Sequence, residues 1–348
     1  MARPVSAVDL FCGAGGLTHG FQLEGINVRA GIDTDPACNH PFTHNNDAVF
    51  LELDAQEITA ADLLPYFSEG ECWLLAGCAP CQPFSTYSQG HRNDNDEKWL
   101  LLYEFARLVK EIRPHVVTME NVTKLAKHPI FADFVRILKK FGYLVTHYEV
   151  ECAHYGIPQN RARLVLFASI YGEVEIEEPS HDETNFSTVK NTIGRLPKIA
   201  AGEVAKRDHL HRASNLSETN LKRIRASRPG GTWRDWDKTL RTKCHKKETG
   251  KTYPSVYGRM EWDKPAPTIT TQCHGYGNGR FGHPEQDRAI SLREAALLQT
   301  FPENYSFLPS GEIVYFSTIA RLIGNAVPVR LARMIARSIL SHLEEHDG

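Results

Sequence analysis

Residues 5–16 read VSAVDLFCGAGG, and the fold is decided there. Val5 to Phe11 has the composition and length of a buried strand. CGAGG then breaks the run with three glycines, and an amphipathic helical pattern continues to about Leu23. A strand, a glycine-rich loop and a helix form the opening unit of an α/β layer structure. The rhythm persists outward from this unit. Asn27 to Ile32 makes a second strand closing on Asp33, with a helix from Pro36. CWLLAG at 72–77, a helix from Trp99 to Ile112, HVVTME at 115–120, a helix from Ile130 to Phe141, and strands near 143–152 and 163–169 follow. The expected fold class is α/β, a doubly wound and mostly parallel Rossmann-like sheet with helices on both faces.

After Ile170 the alternation stops. Residues 173–284 are rich in Pro, Gly, Asn, Thr and basic side chains, with short β-like runs such as APTITT, and are expected to form a smaller, irregular, β-rich domain. Residues 1–172 plus 285–348 would form the main domain, with helix returning at Ser291, where Ser291 and Glu294 have capping-box spacing. A last helix is expected from Pro328 to Leu343.

The net charge of −2 conceals an asymmetry: residues 203–264 hold 16 Lys/Arg against 8 Asp/Glu, a local +8 that leaves −10 elsewhere. A basic module on an acidic body suits a polyanionic partner. At 41% hydrophobic and 24% charged the chain reads as soluble and globular. No apolar run approaches the roughly 20 residues of a membrane span, and the N-terminus lacks a secretory pattern, so a cytoplasmic location is expected. Eight cysteines are too sparse for a disulfide scaffold and are expected as thiols.

Glycines 13, 15 and 16 directly after the first strand let a backbone approach a ligand and leave amides free at a helix N-terminus. Asp33, with Thr34 beside it, is placed to bind ribose hydroxyls. Asp54, after the next strand, could meet an adenine amino group. These residues alone fit a nicotinamide enzyme as well as one using S-adenosyl-L-methionine. Helix capping for Asp33 and a plain turn for Asp54 are the simpler alternatives.

GCAPCQPFS at 77–85 follows an apolar strand, which puts Cys81 in a loop at the carboxyl end of the sheet, where ligands bind in such folds. Pro80 and Pro83 stiffen the loop, and a thiolate there would be a directed nucleophile. Cys78 and Cys81 also make a CxxC, open to a redox or zinc reading. No second CxxC or paired-histidine motif completes a zinc set, and no metal is expected.

Taken together, DLFCGAGG, PCQPFS, MENV at 119–122, YGIPQNRARLVLF at 155–167, SLREAALLQTFP at 291–302 and GNAVP at 324–328 resemble, in order, the motifs of the DNA (cytosine-5) methyltransferases. The match runs from residue 5 to about 330. One departure is local: many members have Gly, any residue, Pro, Cys, whereas this chain reads Gly77, Cys78, Ala79, Pro80, Cys81, one residue longer and with a second cysteine.

The resemblance implies methyl transfer from S-adenosyl-L-methionine to C5 of cytosine in double-stranded DNA. Ring carbon C5 is a poor nucleophile, so a thiolate from Cys81 would add at C6 and make C5 electron-rich. Glu120 would share a proton at N3 and hold the exocyclic amine, and Arg163 would face the base carbonyl. Arg161, also in the catalytic set, more naturally has a structural or phosphate role. Phe11, Pro80 and Leu102 are candidate walls of the cofactor site, with Asn325 and Ala326 as further contacts. The base would have to be flipped out of the duplex.

Gln82 and Ser85 would fill the vacated gap or touch phosphate. Within the basic domain, Thr268 is expected at the DNA backbone and Arg280 in a glycine-rich loop near a groove. Arg234, Arg241 and Arg259 are candidates to read guanine edges, the alternative being a solvated basic face. A transfer-RNA methyltransferase of the same fold and an inactive DNA-binding regulator are the rival readings. The long basic insertion favours DNA, and intact Cys81, Glu120 and Arg163 favour an enzyme. Compact size suggests a monomeric modification enzyme of a restriction–modification pair, with a cognate endonuclease as the other component.

Overall fold

The structure is a computed structural model describing residues 3–80, 100–247, 250 and 252–346. Two compact units emerge, one of Met1–Tyr155, Ala162–Pro179 and Val327–Gly348, the other of Gly156–Arg161 and Ser180–Ala326. In chain order, β1 (Val5–Leu10) leads into α1 (Gly16–Leu23), then β2 (Asn27–Asp33), α2 (Asn39–Asn45), β3 (Val49–Glu52), α3 (Ala60–Leu63) and β4 (Cys72–Gly77). After α4 (Leu100–Ile112) come β5 (Val116–Asn121), α5 (Pro129–Lys140) and β6 (Leu144–Glu151). The second unit is entered briefly through β7 (Gln159–Asn160), left for β8 (Ala162–Ser169), and entered again. It holds α6 (Val189–Ile193), β9 (Val204–Ala205), β10 (Asp208–Arg212), α7 (Glu218–Ala226), β11 (Ala266–Pro267), α8 (Leu292–Leu298) and α9 (Phe316–Asn325). Helix α10 (Val329–His346) returns the chain to the first unit.

The first unit is built on a seven-stranded sheet of order β3-β2-β1-β4-β5-β8-β6. Pairs from β3 to β5 are parallel, whereas β8 runs antiparallel to both β5 and β6. All six residues of β1 are buried, because a strand covered on both faces tolerates no alternation. The apolar positions of α4 (Leu102, Phe105, Ala106, Leu108, Val109, Ile112) recur at helical spacing and are all buried. Phe105 meets Phe134 of α5 at 5.5 Å between ring centroids. Strand order reverses between β1 and β4, so their carboxyl ends flank the crevice in which doubly wound sheets bind ligands.

Among the described residues, the sheets of the second unit are two-stranded, β9 with β10 and β7 with β11. The β-like run APTITT shortens to the two residues of β11, and most of the segment is turns, short helices and aromatic clusters. Residues 285–326 also differ from expectation, grouping with this unit rather than with the sheet. Arg288 Nε ties them to the Ile199 carbonyl at 3.1 Å and Arg293 Nε to Asp208 at 2.6 Å, and within them both terminal guanidinium nitrogens of Arg288 donate to the buried Glu294 carboxylate at 2.7 Å. The expected capping box is formed, with Ser291 Oγ accepting from the Glu294 amide at 3.0 Å and Glu294 accepting from the Ser291 amide at 2.6 Å. Ser291 Oγ further lies 2.9 Å from His211 of β10. Pattern alone showed the helix but not its partner.

Candidate active site

The glycine-rich loop leaves β1 through three residues of left-handed backbone, Phe11 (φ 59°), Gly13 (φ 53°) and Gly15 (φ 83°). Phe11 is the strained one, since side chains beyond glycine seldom take positive φ. Asp33 fixes the loop from the end of β2: one carboxylate oxygen accepts from the Gly13 amide at 2.9 Å, the other from the Asp35 amide at 3.0 Å. Burial pushes its pKa up, against the pull of those amides. A Cβ on Gly13 would meet nothing within 4 Å, so the loop borders open space. Thr34 is exposed, and Asp54 accepts from the Gln56 amide at 2.9 Å in a turn. Leu102 is buried in the core and Pro80 is exposed.

Asp9, one residue from the end of β1, was not singled out by its sequence. Its side chain is buried, with Thr18 Oγ1 donating to one oxygen at 2.8 Å and the other oxygen without a partner. Burial raises its pKa to about 7. An acid inside an otherwise apolar strand was the available signal.

Glu120 lies one residue from the end of β5, opposite Val165 of the antiparallel β8. Arg163, at the start of β8, therefore stands beside it, and Arg163 Nε lies 2.9 Å from Glu120 Oε1. The approach is close but off-line, so Oε1 keeps an unfilled acceptor site although the Glu120 side chain is 4% exposed. Arg163 is itself tethered by a bond from Nη1 to the Ala162 carbonyl at 2.7 Å. Glu120 Oε2 accepts from the Cys78 thiol at 2.8 Å. The next residue, Asn121, donates through its side chain to the Ala79 carbonyl at 3.0 Å. Both Glu120 and Asn121 thus hold the chain that leads into Cys81. Cys81, Gln82 and Ser85 lie outside the described residues. Sequence reasoning put Glu120 and Arg163 at the same base without pairing them, read Cys78 only as half of a CxxC, and gave Asn121 no part.

Arg161 belongs to the second unit and is buried there. Nη1 donates to the Ile269 carbonyl at 3.0 Å, and Nη2 reaches the carbonyls of Gly324 and Ala326 at 3.4 Å each. Its guanidinium ties three backbone segments together, which corrects the catalytic expectation and supports the structural one. Asn325 is exposed at the end of α9, and Ala326 is buried behind it.

Arg259 is also corrected. At 4% exposed, its guanidinium donates to the carbonyls of Ile224, Ser227, His283 and Gln286 and pairs with Asp287, so no donor is left for a base edge. Arg280 is half-buried on the Gly231 carbonyl at 2.7 Å. Arg234 is exposed, its guanidinium carbon 5.5 Å from the Trp233 ring centroid, and Arg241 reaches the same ring at 5.9 Å while donating to the Arg234 carbonyl at 2.6 Å. Thr268 donates to the Asn160 carbonyl at 2.7 Å. Among the described residues no cluster of three His, Cys, Asp or Glu could hold a metal, and no helix is long and apolar enough to cross a membrane.

A doubly wound sheet, a glycine loop opening at the strand-order reversal and a buried carboxylate–guanidinium pair beside it define a Rossmann-like transferase. The chain belongs to the C-5 cytosine-specific DNA methylases, whose family pattern matches residues 5–341, and it is a DNA (cytosine-5) methyltransferase. It is 52% identical to the Type II methylase M.HgiDII of Herpetosiphon aurantiacus over 97% of this chain and 96% of that protein. It is 32% identical to the Type II methyltransferase M1.HphI of Haemophilus parahaemolyticus, over 96% of this chain and 86% of the relative. A prophage-encoded DNA modification methyltransferase of E. coli has the same fold, with a TM-score of 0.73 at 20% identity over 98% of this chain and 99% of that one.

Proposed function

We propose that the protein methylates C5 of a flipped cytosine within a specific double-stranded DNA sequence, using S-adenosyl-L-methionine and a transient bond from Cys81 to C6. The observation that carries this reading is the placement of Glu120. A buried carboxylate at the end of β5, with an unfilled acceptor site and an arginine at 2.9 Å, stands beside the chain that enters PCQPFS. A carboxylate is stable in such a place only if a partner completes it.

The residues around the glycine loop fit the cofactor. Open space lies beside Gly13, whose amide is held by Asp33, and buried Asp9 near the end of β1 keeps one oxygen without a partner. Phe11, Gly13, Gly15, Gly16, Asp33 and Thr34 would hold S-adenosylmethionine, with Asp54, Pro80, Leu102, Asn325 and Ala326 as further contacts. When bound, it supplies an electrophilic methyl group.

The chain's own groups do the rest. Cys81, as thiolate, adds to C6. Glu120 shares a proton at N3 and accepts from the exocyclic amine, which offsets the charge that the addition pushes into the ring. Arg163 holds Glu120 and faces the base carbonyl. After transfer the C5 proton is lost, to water in this reading, and Cys81 is expelled. Gln82 and Ser85 would stabilise the duplex around the vacated position. The second unit would be the target recognition domain, with Arg234, Arg241, Arg280 and Thr268 at its DNA surface. As a Type II modification enzyme, the protein would act as a cytoplasmic monomer on sites shared with a cognate endonuclease.

DNA carrying 5-fluorocytosine tests the chemistry, because fluorine at C5 blocks release of the cysteine. A covalent complex with the native protein and none with Cys81→Ser is expected; the absence of any covalent complex would overturn the mechanism. Activity on transfer RNA without activity on duplex DNA would overturn the substrate. Bisulfite sequencing of host DNA after expression identifies the site.

A further inference from the structure

Cys78 lies three residues before Cys81, and the mechanism above leaves it unused. Its thiol lies 2.8 Å from Glu120 Oε2, while Arg163 Nε stands 2.9 Å from Oε1. An ionised carboxylate has about four acceptor sites, two on each oxygen. Cys78 and Arg163 therefore each face one oxygen and leave the remaining sites in fixed directions. A cytosine offers two polar atoms to such a group, N3 and the exocyclic amine. Those atoms need one site on each oxygen, at a defined rotation of the carboxylate. Arg163 alone holds one corner and permits rotation about the terminal side-chain bond, a broad torsion with no staggered wells. A second donor on the opposite oxygen stops it.

The backbone around Cys78 is equally fixed. Its amide donates to the Leu10 carbonyl at 3.2 Å, extending the β1–β4 pairing by one residue, and the Ala79 carbonyl accepts from Asn121 at 3.0 Å. The Cα that carries the thiol is therefore held in place at the strand end.

We propose that Cys78 is a positioning residue for methyl transfer: its thiol sets the rotation of the Glu120 carboxylate so that both oxygens meet the base at once. The proposal rests on the reading of Glu120 given above. Its effect belongs to the chemical step, because the geometry of proton sharing governs the transition state more than the encounter with DNA.

The test uses the full-length protein, tritiated S-adenosylmethionine and unmethylated bacteriophage DNA, with kcat and KM measured for Cys78→Val, Cys78→Ser, Glu120→Gln and the double variant Cys78→Val/Glu120→Gln. Valine removes the donor and serine keeps one. The expected result is that Cys78→Val lowers kcat by about 10–100-fold, the loss of one hydrogen bond to a charged group, with KM for DNA little changed. Cys78→Ser should recover most of that loss. In the Glu120→Gln background, valine should bring no further loss, since a residue acting through Glu120 has nothing left to position. A merely structural role for Cys78 would lower kcat in both backgrounds and disturb Tm.

Wild-type kcat in Cys78→Val while Glu120→Gln collapses would overturn the proposal alone. Cys78→Ser as slow as Cys78→Val would overturn it too. Wild-type kcat in Glu120→Gln would overturn the reading of Glu120 and the proposal with it. Should the valine variant fold poorly, Cys78→Ala carries the same comparison.

Discussion

Two buried glutamates, each beside an arginine, behave as opposites. Glu294 in the second unit is 1% exposed and Arg288 beside it 0%, and the carboxylate receives both guanidinium bonds and the Ser291 amide. Glu120 in the first unit is 4% exposed, has an off-line arginine and a thiol, and keeps an open acceptor site. The first arrangement is closed and the second is waiting for a partner. Burial and pairing alone do not separate a structural ion pair from a functional one; what separates them is whether every acceptor has been filled.

Isosteric substitution breaks the comparison most sharply. Glu120→Gln is expected to lower kcat by about 10²–10⁴-fold, the usual worth of a positioned acid–base group, with thermal stability nearly unchanged. Steady-state transfer and calorimetry on one preparation would check both halves. Glu294→Gln should do the reverse, destabilising the fold by about 3–5 kcal/mol because Arg288 is left as an uncompensated buried charge. Denaturant titration followed by tryptophan fluorescence would report it, since three of the five tryptophans, Trp233, Trp236 and Trp262, lie in that unit. Equal stability loss in the two variants would erase the distinction.

The same rule sorts the arginines of the second unit. Arg259→Gln strands buried carbonyls that now accept from it and should lower Tm. Arg234→Gln, at an exposed site, should leave Tm unchanged and reduce the salt dependence of DNA binding by about one unit of slope if Arg234 meets phosphate.

The smallest effect is with pH. Burial works to raise the Glu294 pKa, but the Arg288 bonds and charge, with His283 and the Ser291 amide, hold it below the usual 4.5. Burial lowers the His283 pKa from 6.5 to about 4. Both groups bind fewer protons folded than unfolded, so their stabilisation is fully present above about 6.5. It falls between 6.5 and 4 as the histidine titrates, and further below 4.5 as the glutamate does. Thermal unfolding of the wild type should show this acid slope, and His283→Gln should flatten its upper part.

The first unit was legible in sequence because its signals are local. Apolar runs of strand length, glycines at 13, 15 and 16 and the MENV strand end each announce themselves within a few residues. Arg161 and Arg163 show the limit. They are two residues apart in one motif, yet one belongs to each unit, and only the pairing of β5 with β8 assigns Glu120 to Arg163. Arg259 looked like a DNA reader because a buried arginine and a solvated one have the same letter. Its partners, Ile224, Ser227, His283 and Gln286, are 24 to 35 residues away and meet it through their backbone carbonyls, which no composition reveals.

Helix α10 comes last in the chain and completes the first unit. A Cβ on Gly20 of α1 would lie 2.4 Å from Ala332 Cβ, and Glu24 pairs with Arg333 at 309 residues' separation and with Arg337 at 2.9 Å. During synthesis, therefore, the outer face of the first helix is covered only once Arg333, 309 residues beyond Glu24, has been made. The glycine-rich loop that leads into α1 shares that wait. A chain released before Val329 would carry every motif of the active site and still display an uncovered helix, an object for proteolysis rather than a slow enzyme.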